Sequence, residues 1–306
     1  MLKQSPSSLL MVRPAAFGYN TETATSNAFQ FVPDIAEDEI HRLVLQEFDQ
    51  MVEELRKHDI NVIVVEDAKN TITPDAIFPN NWFSTHRDGE VILYPMEANN
   101  RRLERREDVI AILSDHYKVV SITDLSFHEQ NGKYLEGTGS VVFDHQNKKA
   151  YACNSSRTDE TLLLKLCEQL RYTPVFFDAL DQQGNPIYHT NVMMCVATEL
   201  AIVCIEAIAE EDQERVIDHL QVGGKKIIAI GYEQMNAFAG NMLEVENNKE
   251  ERFLIMSDRA FESLVNGQIN AITQSADIIH VNIPNIEQYG GGGVRCMMAG
   301  IHLPKK

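Results

Sequence analysis

Residues 290–296 read Gly-Gly-Gly-Gly-Val-Arg-Cys, four consecutive glycines directly before an apolar segment. Glycine lets the backbone approach a ligand closely and adopt positive φ, so the run is expected to leave the Cys296 sulfur at the lip of a pocket, on a strand over residues 296–303. The charge of Arg295 is expected to lower the pKa of an accessible thiol toward the nucleophilic thiolate. Taken alone, the motif also fits a flexible turn before an inert strand cysteine.

The other cysteines lack this context. The chain contains five, an odd number, at Cys153, Cys167, Cys195, Cys204 and Cys296. They are widely spaced and form no C-x-x-C pair, which predicts neither a disulfide framework nor a zinc site. Cys167 falls on the apolar face of a predicted helix, and Cys195 and Cys204 lie within apolar strands, the usual place for a buried structural thiol.

A thiolate nucleophile needs a proton donor for its leaving group, and His189 is the best placed of the ten histidines. It lies where a loop meets an apolar strand, whereas His41, His58 and His219 fall in polar helical contexts and are interpreted as structural. Most histidines are surface or satisfied core residues, so position alone gives His189 modest weight.

Glu136 is the candidate carboxylate, in the glycine-rich segment 134–140 before an apolar strand. A carboxylate there could take a proton from attacking water or hold a planar N–H group. A solvated loop glutamate is the ordinary alternative.

Helical and strand patterns alternate along the chain, which predicts an α/β protein. No linker or low-complexity tract divides it, so we expect a single domain over residues 1–306 with roughly five strand-rich units. The patterns predict helices at 38–58, 101–116, 159–171 with Thr158 as cap, 211–220 and near Ala260, and strands at 61–65, 91–95, near Val119 and Val141, at 175–177, 192–196 and 201–205, near Ile227, Met242 and Phe253, and at 278–283.

The net charge is −18, from 45 acidic and 27 basic residues, which disfavours nucleic acid and anionic lipid as partners. A cationic or zwitterionic small molecule fits this charge, although an acidic surface also serves solubility. No signal peptide or membrane-spanning run is evident, so a cytoplasmic protein is expected. No histidine–carboxylate cluster has zinc-like spacing, and no metal or organic cofactor is expected. The oligomeric state stays open, a homo-oligomer included.

Six segments, in this order, resemble those of the guanidine-modifying (pentein) superfamily, which includes arginine and agmatine deiminases, amidinotransferases and dimethylarginine hydrolases. Each motif is weak alone, but six in order are specific. Residues 12–14 and 17–24 are most similar to bacterial citrulline-utilisation hydrolases. The six segments are 74–81 (Pro-Asp-Ala-Ile-Phe-Pro-Asn-Asn), 99–102 (Asn-Asn-Arg-Arg), 135–139 (Leu-Glu-Gly-Thr-Gly), 155–158 (Ser-Ser-Arg-Thr), the loop with His189, and 290–296.

The resemblance covers nearly the whole chain and implies a five-bladed β/α propeller with the active site in its central channel. It implies that Cys296 is the nucleophile, His189 the general acid and base, and Glu136 the acidic partner. Further matching positions imply that Arg101 and Arg157 hold the α-carboxylate of the substrate, and that Asp75 lies near its α-amino end. Bidentate guanidinium groups suit the carboxylate role.

The chain departs from the family pattern at three positions. Asn80 and Asn81 stand where dimethylarginine hydrolases carry an acidic pair, and Asn191 stands where arginine deiminases carry an aspartate. A buried guanidinium without its carboxylates costs on the order of 3–5 kcal/mol. An amide instead offers both a donor and an acceptor to a neutral ureido group, so these positions favour L-citrulline, hydrolysed to ornithine, ammonia and carbon dioxide.

Three alternatives remain from the sequence. The guanidinium of arginine or a methylarginine could be held by Glu136, Asp75 and acids not recognised here, which would make the protein a deiminase. An amidinotransferase is the second alternative. The third is a propeller-shaped binding module without catalysis, against which the retention of Cys296, His189 and Glu136 argues.

Overall fold

The computed structural model describes residues 3–24, 27, 29–33 and 35–306. In these residues the strands form five separate three-stranded sheets. The strands are β1 (Ser8–Arg13), β2 (Asn61–Glu66), β3 (Phe83–Thr85), β4 (Glu90–Leu93), β5 (Ser121–Asp124), β6 (Val142–Asp144), β7 (Lys149–Cys153), β8 (Thr173–Phe177), β9 (Met194–Val196), β10 (Leu200–Val203), β11 (Lys226–Ala229), β12 (Leu243–Glu246), β13 (Arg252–Ser257), β14 (Asp277–Val281) and β15 (Ala299–Gly300).

The helices connect or precede these strands. The α-helices are α1 (Glu37–Lys57), α2 (Glu107–His116), α3 (Gly137–Ser140), α4 (Glu160–Leu170), α5 (Thr190–Met193), α6 (Glu210–Val222), α7 (Tyr232–Asn236), α8 (Asp258–Ser263), α9 (Asn266–Thr273) and α10 (Val294–Met297). Short 3-10 helices cover Pro79–Asn81, Asn100–Glu104, Ser126–Asn131 and Ile205–Ala207, and a π-helical turn covers Ile286–Gly290.

One blade pattern repeats around the molecule. In each sheet the first strand pairs antiparallel with the second, and the second pairs parallel with the third, as in β3–β4–β5 and β6–β7–β8. A parallel pair requires a crossover connection, here α2, α4, α6, the α8–α9 pair or α1. The described residues therefore form the five-bladed α/β propeller that the sequence predicts.

The ring closes by pairing distant parts of the chain. Strand β15 pairs antiparallel with β1 through Leu9 with Gly300 and Leu10 with Ala299, and β1 pairs parallel with β2. The first strands contact their neighbours across blades, β6 with β9, β9 with β12 and β15 with β3. They therefore surround the central axis, and the turns that lead into them point toward it.

Helix α1 shows why the outer helices form. Glu37, Asp38 and Glu39 lie in its first turn and Arg56 and Lys57 in its last, which complements the helix dipole. Its apolar side chains recur at helical spacing and pack in one cluster with residues of β2 and β14. The buried apolar residues are Ile40, Val44, Phe48, Met51, Val52 and Leu55.

Several local predictions are wrong. The helix predicted over 101–116 is split into a 3-10 turn and α2, the strand predicted over 192–196 begins inside helix α5, and β3 and β7 were not predicted. The cap of α4 is not Thr158 but Asp159, whose side chain accepts a hydrogen bond of 3.0 Å from the Leu162 amide. The segment around Cys296 is the short helix α10, and only Ala299–Gly300 form a strand. Within the described residues, no helix is both long and apolar enough to cross a membrane.

Phe48→Ala should lower the free energy of unfolding by about 3–5 kcal/mol, because removing this fully buried ring leaves a cavity in the core. Phe127→Ala is the matched control, since its ring is 57% exposed and the change should stay within about 0.5 kcal/mol. Urea unfolding followed by far-UV circular dichroism measures both. Equal losses for the two variants would contradict the packing of α1.

Candidate active site

The turn before the first strand of each blade carries a polar or nucleophilic residue toward the axis. Asn81 ends the 3-10 turn before β3, and Glu136 is the N-cap of α3, before β6. His189 is the N-cap of α5, Asn241 lies two residues before the start of β12, and Cys296 lies in α10. The fivefold repeat therefore brings together side chains that are far apart in sequence.

Cys296 is buried, with 4% of its surface exposed, and its sulfur faces two amides. The Nδ2 atoms of Asn191 and Asn241 lie 3.5 Å and 3.4 Å from Sγ. Burial raises the pKa of the thiol above its ordinary 9.0, while the Asn241 hydrogen bond, the Arg295 charge and Asn191 oppose this in part. The expected net lowering of the pKa by Arg295 is therefore wrong: in the free protein Cys296 is a thiol near neutral pH.

The glycine run shapes one wall of the space beside Cys296. Gly291 has φ of +64°, and a Cβ there would lie 2.6 Å from Nδ2 of Asn27. A Cβ on Gly292 would lie 2.9 Å from the ring of Phe78. Only glycine fits these two positions, as expected for backbone that approaches a ligand.

His189 and Glu136 form a buried pair, with Nε2 of the imidazole 2.8 Å from Oε2 of the carboxylate. Burial lowers the pKa of His189 to about 4. Burial alone raises the pKa of Glu136, but the Arg157 charge, the His189 hydrogen bond and the Arg101 charge hold it well below its usual range. Since an ionised carboxylate only accepts, Nε2 carries the imidazole proton and Nδ1 is left as a proton acceptor.

Two buried arginines surround Glu136. Arg157 Nη1 donates to its Oε2 at 3.4 Å, and Arg101 Nη1 lies 4.0 Å from the same oxygen. Arg101 also binds Glu104 through Nε and Nη2, each at 2.9 Å, and donates from Nη1 to Asn81 Oδ1 at 2.8 Å. The carboxylate thus stays ionised because cations and a hydrogen-bond donor compensate its burial.

Asp75 is buried beside Arg101, with its Oδ2 3.7 Å from Nε of the guanidinium. Asn20 Nδ2 and the Thr23 hydroxyl donate to Oδ2 at 2.7 Å and 3.3 Å. Oδ1 has no hydrogen-bond partner among the described residues. It is therefore available to an N–H donor of a ligand.

These side chains line a narrow cavity of about 20 Å³. Of the predicted site residues, Cys296, His189, Asp75, Asn81, Arg101 and Arg157 line it.

Three predicted residues lie outside this lining. Glu136 accepts a hydrogen bond from Nε2 of His189, which lines the cavity in its place. Asn80 is fully buried, and neither polar atom of its side chain has a partner among the described residues. Asn191 contacts the cysteine sulfur and lines a different cavity.

Asn241 and Glu104 were not identified from the sequence. A lone asparagine before a strand has no distinctive motif, and only its place in the fourth repeat of the blade turn could have indicated it. Glu104 follows the arginine pair at a spacing that the predicted continuous helix obscured. In segment 17–24, Asn20 and Thr23 donate hydrogen bonds to Asp75, which lines the cavity.

The sequence model described as N,N dimethylarginine dimethylhydrolase, eukaryotic, matches residues 13–303. Among proteins of curated function, no sequence matches the chain.

Solved structures share the fold at low identity. The N-terminal domain of ArgZ bound to product, an arginine dihydrolase from the ornithine-ammonia cycle in cyanobacteria, is 16% identical with a TM-score of 0.75, over 97% of this chain and 98% of that one. A dimethylarginine dimethylaminohydrolase adduct is 13% identical with a TM-score of 0.64, over 98% and 99% of the two chains. The chain spans 40% of the length of the longer ArgZ chain.

Gly139→Ala should abolish activity, because its Cβ would lie 2.4 Å from Asn81 Nδ2 and 2.8 Å from His189 Nδ1. Gly267→Ala in α9 is the matched control, since a Cβ there meets no atom within 4 Å. Turnover and unfolding midpoints of both variants measure this. An active Gly139→Ala protein would contradict the packing of these two side chains.

Iodoacetamide should modify Cys296 before the other four cysteines, because Cys296 lines the cavity and burial raises the pKa of each of the others to about 12. The rate of Cys296 modification should rise steadily as the pH increases toward and beyond 9.0, because the pKa of this thiol is raised and little thiolate is present at lower pH. Asn241→Ala should slow the reaction at a given pH. Peptide mass spectrometry measures each site, and a rate independent of pH between 6 and 9 would show a preformed thiolate.

Proposed function

The chain belongs to the eukaryotic N,N-dimethylarginine dimethylhydrolase family, and we propose that it is a cysteine hydrolase. It acts on the terminal planar carbon of an arginine- or citrulline-type amino acid, with L-citrulline as the favoured substrate. The cavity supports this reaction class. The thiol of Cys296, the neutral imidazole of His189 and the carboxylate of Asp75 line one space, and Oδ1 of Asp75 has no partner among the described residues.

Asn81 is the observation that carries the choice of citrulline. A guanidinium only donates hydrogen bonds, so Arg101 fixes the amide with its oxygen turned toward Nη1. The Nδ2 donor is therefore turned away, close to His189 Nδ1, and it has no partner among the described residues. A ureido oxygen accepts from such a donor, whereas a guanidinium offers no acceptor.

The two arginines take different roles in this proposal. Four of the five N–H donors of Arg101 already bind protein atoms, so its main contribution is to fix Asn81 and to supply charge. Arg157, whose guanidinium also lines the cavity, is the partner of the substrate α-carboxylate. Oδ1 of Asp75 accepts from the α-ammonium group.

The reaction follows from the protonation states. Cys296 transfers its proton to Nδ1 of His189 as Sγ attacks the ureido carbon, and Asn241 and Asn191 donate to the developing thiolate. The imidazolium, stabilised by Glu136, then protonates the δ-nitrogen, so the C–N bond breaks and ornithine leaves an S-carbamoyl enzyme. His189 next removes a proton from water, which attacks the carbamoyl carbon. The C–S bond then breaks, His189 returns the proton to Sγ of Cys296, and the released carbamate decomposes to ammonia and carbon dioxide.

Purified protein incubated separately with L-citrulline, L-arginine and dimethylarginine decides the substrate. We expect ornithine and ammonia from citrulline, and no product with Cys296→Ala. Conversion of arginine to citrulline, with citrulline left untouched, would contradict the proposal and favour a deiminase. Conversion of arginine through to ornithine would indicate a dihydrolase, and dependence on an ornithine or glycine acceptor would indicate an amidinotransferase.

Asn81→Asp should lower kcat/KM for citrulline at least 100-fold, because a carboxylate repels the ureido oxygen and cannot donate to it. Loss of one positioned donor of this kind costs about 100- to 1000-fold. Asn81→Ser, which keeps a hydroxyl donor, is the control and should lose less. Equal losses in both variants would show that Asn81 acts only in packing.

A further inference from the structure

A second cavity, of about 60 Å³, lies between the first strands of the five blades. Residues from the first strand of every blade line it, for example Phe83, Phe143, Cys195, Glu244 and Ala299. None of the described residues that line it also lines the substrate cavity. It is therefore a separate space, between the first strands of the blades.

This cavity contains one charge of each sign. Among the described residues that line it, Arg295 is the only arginine or lysine and Glu244 the only carboxylate. Arg295 donates to the Met298 carbonyl and not to Glu244, and Glu244 Oε2 has no hydrogen-bond partner among the described residues. The charge of Lys225, outside the cavity lining, acts on Glu244, but no carboxylate of the described residues lies within 4.0 Å of Arg295. Removing a charged group from water costs several kcal/mol, which a ligand of opposite charge would offset.

The guanidinium of Arg295 makes one hydrogen bond, from Nη1 to the Met298 carbonyl at 2.8 Å, and no carboxylate of the described residues lies within 4.0 Å of it. Burial lowers the pKa of this group to about 10. Among the described residues, no acceptor group binds two N–H donors of this guanidinium at once. The group therefore suits a carboxylate ligand.

Glu244 is 3% exposed, and its two oxygens differ. Oε1 accepts from the hydroxyls of Ser5 and Thr198 and from the Thr198 amide at 3.0 Å. Oε2 has no partner among the described residues. A buried carboxylate oxygen of this kind calls for a cationic donor.

Three imidazoles complete the lining without adding charge. Burial lowers the pKa of His86 to about 4 and of His302 to about 3, and lowers that of His145 well below its usual value. They are neutral near pH 7. His302 Nδ1 also has no partner among the described residues, so it can exchange a hydrogen bond with a ligand.

We propose that this second cavity is a binding site for a small zwitterionic α-amino acid, with its carboxylate on Arg295 and its ammonium on Glu244. A simple anion would compensate the charge of Arg295 but would be repelled by Glu244. A simple cation would compensate the charge of Glu244 but would be repelled by Arg295. A ligand with both charges on one carbon compensates both groups.

Occupancy of this site is positioned to affect the nucleophile. Arg295 directly precedes Cys296, and its backbone amide donates to Asn241 Oδ1 at 3.1 Å. Asn191 lines the second cavity and donates to the Cys296 sulfur. A bound amino acid therefore contacts the groups that hold Cys296, without entering the substrate cavity.

The test is equilibrium dialysis of the full chain after iodoacetamide has blocked Cys296, which removes binding in the substrate cavity. The probes are glycine, L-ornithine, acetate and methylammonium. We expect one glycine per chain, with acetate and methylammonium each binding at least tenfold more weakly. L-Ornithine binding more tightly than glycine would identify the reaction product as the natural ligand, and equal binding would extend the site to α-amino acids generally.

Glu244→Gln, nearly identical in shape, should weaken glycine binding at least tenfold, and Arg295→Met should do the same. Glu246→Gln, on the same strand β12 but outside the cavity, is the matched control and should leave binding unchanged. No glycine or ornithine binding to the blocked protein would overturn the proposal. So would acetate binding as tight as glycine and unaffected by Glu244→Gln, which would reveal a plain anion site. None of these outcomes depends on turnover of citrulline.

Discussion

The ionised, buried carboxylate of Glu136 is the constraint on which the rest of the site depends. A carboxylate removed from water is stable only among cations and donors, which explains the presence of Arg157, Arg101 and His189 around it. Its charge fixes the proton on one nitrogen of His189 and leaves the other as an acceptor, which the proposed mechanism uses to deprotonate the cysteine. Arg101 in turn fixes the orientation of Asn81. Protonation state, tautomer and amide orientation thus follow from a single buried charge.

The fivefold repeat explains how a polar site is built between the apolar cores of the blades. Each blade buries its own sheet against a helix, and the turn before its first strand is left to supply a polar group at the axis. Stability and chemistry are therefore assigned to different parts of each blade. The arrangement also leaves a second space at the axis, lined by Arg295 and Glu244, which do not bind each other.

Much of this was accessible from sequence. Helical periodicity gave α1 closely, and the ordered motifs predicted the propeller and six of the residues that line the substrate cavity. Short elements were less accessible: α10 is a single turn whose apolar residues fit a strand equally well, so tertiary packing decides its conformation. The pKa of Cys296 was misjudged because adjacent charge is visible in sequence and burial is not. Asn241 has no motif at all, since its role comes only from its place in the ring.

Closure of the ring by β15 and β1 has a consequence for how the protein acquires reactivity. These two strands pair across almost the full sequence, so their contact carries the largest loop-closure entropy in the fold and is expected to form late. The cysteine lies just ahead of this closing strand, whereas the imidazole and carboxylate come from blades whose strands are local in sequence. A partly folded chain would therefore hold an assembled acid–base pair without a nucleophile, and it would acquire that nucleophile only as the last blade docks.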